Sequence, residues 1–276
     1  TTSYDYDAPL NEWGMTTEKY DHFKNVINKY KNIHDFPLST HIKFLNYGEI
    51  KCTNKVSLFN TIETLAKPIY NDITLPMEKL NQNYGYILYH ANVGSARKLS
   101  KSRLIDCNDR AQVFVNQQLL TTQYRDTMGN NIELDLPLEH DNQLDILVEN
   151  LGRINYGPYL ISPNQRKGLK GGFMLDIHFH TGWDHYCLDL ENIKDVDFTK
   201  EYKENVPAFY EFEFNVHELG DTFLNLDNWG KGCAFINNEP IGRFWNIGPT
   251  KYLYIPAPLL SMRWGDGVLK LVRVLE

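Results

Sequence analysis

The chain has 276 residues, a net charge of −7, 42% hydrophobic and 23% charged residues. That length suits about two globular domains of ~100–200 residues each. The acidic balance and the lack of any Lys/Arg block exclude a nucleic-acid surface, and no apolar run reaches the ~18 residues of a membrane span.

The chain opens at Thr1-Thr2-Ser3 without a Met, which predicts a piece of a longer polypeptide. Its first stretch, TTSYDYDAPL, reads as a strand end on which Tyr4 and Tyr6 alternate with Asp5. Thr16-Thr17-Glu18 can cap a helix, and Tyr20, Phe23, Val26, Ile27 and Tyr30 fall on one helical face before Pro37. A lone strand and helix cannot bury that face alone. The unit either packs on a sandwich or is the last βα unit of a larger α/β domain.

Strand signals dominate from Lys55 onward. Val56 to Leu65 reads as a strand, and Pro68 and Pro76 break up the linker after it. GYILYHA (85–91), DRAQVFVN (109–116) and LDILVEN (144–150) then return in the same order as AFYEFEF (208–214), KGCAFINN (231–238) and LKLVRVLE (269–276). Between the last two, Asn237-Asn238 and Gly248-Pro249 punctuate a hairpin. A repeat of this length means two copies of one unit. The fold class expected is therefore mainly all-β, with two jelly-roll β-sandwiches. Their expected bounds are 81–200 and 201–276, after a βα stub (1–35) and a linker (36–80). The 36–80 linker would lend a strand to the second sandwich, making the first an insertion.

Cys52, Cys107, Cys187 and Cys233 stand far apart, so free thiols are expected rather than zinc or a redox pair. Neither a phosphate-cradling glycine loop nor a nucleophile elbow is present. His178 and His180 share one face of a strand in DIHFHTGWDH, the beginnings of a cupin-like metal face. The acidic neighbour is Asp184, however, and no later His segment completes a ligand set. Two imidazoles bonded to neighbours is the preferred reading. In ENLGRINYG, Arg153, Asn155 and Tyr156 offer a planar donor, an amide and an aromatic face in a loop with two glycines. That mix suits a sugar; a self-bracing sandwich corner would use the same residues. In GRFWNIGP, Phe244 and Ile247 frame Trp245, which favours a structural Trp over a sugar platform.

Three stretches in this order, SYDYDAPL, LDILVENLGRINYG and GRFWNIGP, resemble the family 35 glycoside hydrolases, the bacterial and lysosomal β-galactosidases. The resemblance covers essentially the whole chain. It implies sandwiches of the galactose-binding-domain type, with the N-terminal stub as the remnant of a TIM barrel. By the family's pattern Tyr6 would touch galactose, Tyr4 would shape the wall of its pocket, and Tyr156, with Arg153 and Asn155, would border the aglycone side. The family is retaining and carries its two catalytic carboxylates upstream of SYDYD. Neither segment is present here, so the chain alone is expected to be inactive. No cofactor is implied. The partners implied are a galactoside substrate, the missing barrel domain and a homodimeric copy, with no nucleic acid and no membrane. The other readings are a carbohydrate-binding module with its own weak galactoside site and a dimerisation unit.

Overall fold

The computed structural model describes residues 7–11, 13–31, 43–248, 251–260 and, as backbone, 266–274. The chain is mainly β and divides into two compact units: residues 1–55 with 209–274, and residues 56–208.

In the outer unit, α1 (Glu18–Ile27) forms where the apolar spacing predicts a helix. Its N-cap Thr17 turns its hydroxyl to the Ala8 and Pro9 carbonyls, at 2.9 and 3.1 Å, instead of to the helix. No residue of α1 is buried, and Phe23, Val26 and Ile27 are each about half exposed. β1 (Cys52–Ser57) then runs straight into α2 (Leu58–Leu65).

The predicted strand over Val56–Leu65 is thus corrected. Only its first two residues are strand. Leu58, Thr61, Ile62 and Leu65 are the buried residues of α2, at spacings of three and four, which is a helix period rather than an alternation.

The inner unit is a sandwich. After α2 come β2 (Ile69–Asn71), β3 (Tyr86–Gly94), β4 (Arg97–Leu104), β5 (Cys107–Asn108), β6 (Arg110–Val115) and β7 (Gln118–Gln123). Then follow β8 (Ile132–Leu136), β9 (Asn142–Glu149), β10 (Gly168–Leu169), β11 (Phe173–Leu175), β12 (His178–Phe179) and β13 (Trp183–Leu188). Six strands form one sheet in the order β2-β13-β3-β9-β6-β7, and four form the other, β12-β11-β4-β8. Alternate residues of each strand meet between them: Tyr89, Val113 and Ile146 from the large sheet, Leu104, Leu134 and Phe173 from the small one. Each such side chain contributes roughly 1.5–3 kcal/mol by leaving water. The opposite face of the large sheet takes α2, whose Phe59 meets Phe114 edge-on at 5.3 Å.

The chain then returns to the outer unit with β14 (Ala208–Asn215), β15 (Thr222–Asn225), β16 (Lys231–Ile236), β17 (Glu239–Trp245), β18 (Tyr252–Ile255) and β19 (Asp266–Val274). One sheet runs β1-β14-β19-β16-β17, and β15 pairs with β18. Trp229 sits edge-on to Tyr210 and Phe212, at 5.2 and 5.6 Å.

The two units share a strand order. β3-β9-β6-β7 in one reads as β14-β19-β16-β17 in the other. The likeness reaches the turns: Asn116-Gln117 and Asn237-Asn238 each join a hairpin through two residues of positive φ, as a type I′ turn requires. It reaches the irregularities too, with a register shift at Val113/Phe114 and another at Ala234/Phe235.

Candidate functional site

The inner unit's most distinctive surface is the stretch between β9 and β10, residues 150–167. Its base is built from polar groups, of which Asn150 and Lys167 are buried. Asn150 donates through Nδ2 to the Asn83 carbonyl at 3.0 Å and accepts the Gly152 N–H at 2.9 Å. Arg153 donates to the Gln165 carbonyl at 3.1 Å, to the Asn83 carbonyl and to the Glu78 carboxylate. Glu78 also accepts the Lys167 backbone N–H at 3.0 Å. The Lys167 ammonium reaches both oxygens of Asp109, at 2.7 and 2.8 Å, and Asp109 Oδ2 accepts the Leu151 N–H at 2.8 Å. The loop therefore leaves and rejoins the sandwich on one connected network.

The tip carries the opposite chemistry. Tyr156 is 87% exposed, Tyr159 68% and Ile161 94%, with Ile154 and Leu160 about half exposed. Gly152 and Gly157 sit at φ +114° and +104°, conformations that shape the tip and suit glycine. A run of large apolar side chains in water is costly unless something covers them. Beside the base lies an open groove of about 1030 Å³, lined among others by Arg125, Asn108, Asp109, Arg153 and Tyr159.

Of the residues singled out from sequence, Arg153, Asn155 and Tyr156 all lie on this loop, in different roles. Arg153 lines the groove, but its guanidinium is committed to Gln165, Asn83 and Glu78. Asn155 and Tyr156 stand exposed at the tip. Tyr4 and Tyr6 lie outside the described residues. Tyr159, Arg125 and the Asp109–Lys167 pair were not read from sequence. The available signal was the run LGRINYGPYLI, apolar yet with neither helix nor strand period, between glycines and a proline.

The carboxylates beside the groove serve the scaffold. Asp109 is held by Lys167, and Asp106 lies 2.8 Å from the Lys170 ammonium. The histidine face departs from the bonded-neighbour form: His180 Nε2 is buried without a hydrogen-bond partner among the described residues, and the ring is held by packing instead. His180 packs edge-on against Trp183 at 5.2 Å, Trp183 Nε1 donates to the His180 carbonyl at 3.1 Å, and burial lowers the pKa of the imidazole. Among the described residues, no group of three or more His, Cys, Asp or Glu could hold a metal ion. Trp245 lies under the Lys231 ammonium, 4.0 Å from its ring. Phe244 is buried as expected beside it, but Ile247 is mostly exposed, so the Trp is framed on one side only.

Two family models match the chain: the first all-β domain of β-galactosidase over residues 74–189, and the β-galactosidase galactose-binding domain over residues 207–264. β-Galactosidase 1 of Dictyostelium discoideum is 34% identical over 307 residues, covering 99% of the chain and 45% of that protein. β-Galactosidase 17 of Arabidopsis thaliana is 33% identical, covering 94% and 42%. The human β-galactosidase-1-like protein 2 is 34% identical, again covering 94% and 42%. The chain thus spans less than half the length of these relatives. A β-galacturonidase from Eisenbergiella tayi covers 83% of the chain and 38% of its own at 11% identity and a TM-score of 0.25, a likeness too loose to carry weight. An all-β domain followed by a galactose-binding domain is the non-catalytic architecture of a glycoside hydrolase. The chain belongs to the β-galactosidases, of which it represents a C-terminal portion.

Proposed function

We propose that the chain serves a retaining β-galactosidase, which removes terminal β-galactose from its substrates, as the portion that braces the catalytic barrel and lines the aglycone side of its pocket. The observation that carries this is the 150–167 loop: a rigid polar base with a bare aromatic and aliphatic tip. Such a tip is stable in water only at a cost, and a partner surface beside a sugar pocket supplies the cover. Tyr156 and Asn155 are its substrate-facing residues in this reading. Arg153 acts through the loop's shape, since its donors are already engaged.

The exposed apolar face of α1 supports the same reading, because Phe23, Val26 and Ile27 suit a helix packed on the outside of a barrel. Tyr6 and Tyr4 would complete the galactose pocket from the preceding strand. No cofactor is called for. The partners are the barrel domain and the galactoside, with a second copy as a further assembly partner.

The test is kinetic. In the full-length enzyme, Tyr156→Ala is expected to raise KM for a disaccharide and to change the preference among linkages, while an aryl galactoside is affected less. Unchanged KM and linkage preference would remove the loop from the aglycone side. The 276-residue chain alone is expected to give no turnover of a nitrophenyl galactoside; turnover by the chain would overturn the division of labour.

A further inference from the structure

The face of the six-stranded sheet turned away from the sandwich core is only partly covered by α2. Beside that helix lies a groove of about 600 Å³. Its floor is set by strand register. His90 on β3 stands opposite Asp145 on β9 and Asp184 on β13, and Tyr186 on β13 stands opposite Leu88 on β3. Because Ile87, Tyr89 and Ile146 face the core, the alternating His90, Leu88 and Asp145 must face outward. Glu63 overhangs them from α2, and the Asn116-Gln117 turn closes one end.

The polar groups here are fixed in advance. His90 Nδ1 donates to Asp145 Oδ1 at 2.7 Å, and Asp145 is almost fully buried. Gln143 Nε2 donates to the Asp141 carbonyl at 3.0 Å, and Lys203 Nζ donates to Gln117 Oε1 at 2.8 Å. What remains is a small set of groups that nothing engages among the described residues: His90 Nε2, the Tyr186 hydroxyl and the Glu63 carboxylate. All three line the groove.

From this geometry we infer that the groove is a saccharide site that takes a neutral pyranose ring. An anion is disfavoured, since Glu63, Asp141 and Asp145 line the groove and the one lysine there is bound to Gln117. A lone divalent cation finds no set of three ligands among the described residues. An apolar ligand would strand the carboxylates without partners. A ring of hydroxyls instead meets acceptors at Glu63 and Asp145, an acceptor at His90 Nε2 that turns donor when the imidazole is protonated, and a donor-acceptor at Tyr186, whose aromatic face suits the C–H side of the sugar. The volume is of the size class that holds small ligands, roughly 300–1,000 Å³. The site is independent of the 150–167 loop, whose groove lies on other residues.

The test uses the 276-residue chain. D-galactose, D-glucose and lactose are titrated while the imidazole signals are followed by NMR and heat by calorimetry. The expected result is saturable binding of at least one of them, with Kd on the order of 1 mM, and a saturating shift at His90 Nε2. Tyr186→Ala and Glu63→Gln are expected to weaken it about tenfold or more, while Tyr156→Ala leaves it unchanged. Glu63 is exposed on α2, so Glu63→Gln keeps the fold, and the wild-type His90 signal decides the matter without any variant. No saturating shift with any of the three sugars overturns the inference. So does binding that survives both groove variants, binding lost in Tyr156→Ala, or saturation by glucuronate alone.

Discussion

Lys167 holds both carboxylate oxygens of Asp109, at 2.7 and 2.8 Å, from a side chain only 4% exposed. Asp109 in turn accepts the Leu151 N–H, so one ion pair ties the start of the aromatic loop to its end. The loop's shape is therefore decided beneath it, by an ion pair at its two ends.

Breaking that pair from one side leaves a buried charge unanswered. Lys167→Met or Asp109→Asn is expected to lower the stability of the chain by about 2–4 kcal/mol, less than the largest such losses because Asp109 is a quarter exposed. The double variant should recover part of the loss. Urea unfolding of the four proteins measures this; additive single losses would show that the two residues are not coupled.

Two glycines of similar backbone should respond very differently to alanine. Gly85 has φ +88°, and a Cβ there would lie 2.3 Å from the Leu188 carbonyl oxygen. Gly157 has φ +104° with nothing within 4 Å of the same position. Gly157→Ala should cost about 1–2 kcal/mol from the backbone alone. Gly85→Ala should cost several kcal/mol more, since β3 and β13 must part to admit it. Comparable thermal shifts in the two variants would contradict this.

Tyr89 is fully buried, and its hydroxyl donates to the Leu75 carbonyl and accepts the Leu169 N–H, each at 2.8 Å. Burial holds its pKa well above 10. Tyr89→Phe fills the same space but orphans both backbone groups, for an expected loss of roughly 1–3 kcal/mol. A near-neutral result would mean that water replaces the hydroxyl.

His90 gives stability a pH dependence of known sign. Its hydrogen bond to Asp145 raises its pKa above 6.5, against the opposing effect of burial. A raised folded value means stabilisation that is full below the unfolded pKa of 6.5 and lost as pH rises through the folded value. His180 and His185 are lowered by burial and act oppositely: their contribution is present above 6.5 and lost as pH falls through their folded values. Comparing the wild type with His90→Gln isolates the first effect. The gap in unfolding free energy should be widest near pH 6 and should shrink by about pH 9. A gap that widens with pH would reverse the assignment.

Much of the fold was legible because strands announce themselves by alternation and by turn residues. The three repeated segments became strands of matching order, and the Asn237-Asn238 turn became the hairpin expected. The missed helix, Leu58–Leu65, is short, and its apolar spacing over eight residues resembles a buried strand until the partners are known. The site was half legible. Arg153, Asn155 and Tyr156 share a loop, but which of them is engaged and which is free depends on Glu78, Asn83 and Gln165, far away in sequence or across the loop. No local pattern encodes such cross-bracing.

The inner unit enters after β1 and leaves before β14, and its own ends are tied, with the Leu58 N–H on the Pro207 carbonyl at 2.8 Å. On the ribosome this orders events. All strands of the inner unit are made before the first residue of β14, while the outer sheet waits for β19. The nested half can mature while its host is still an open set of segments.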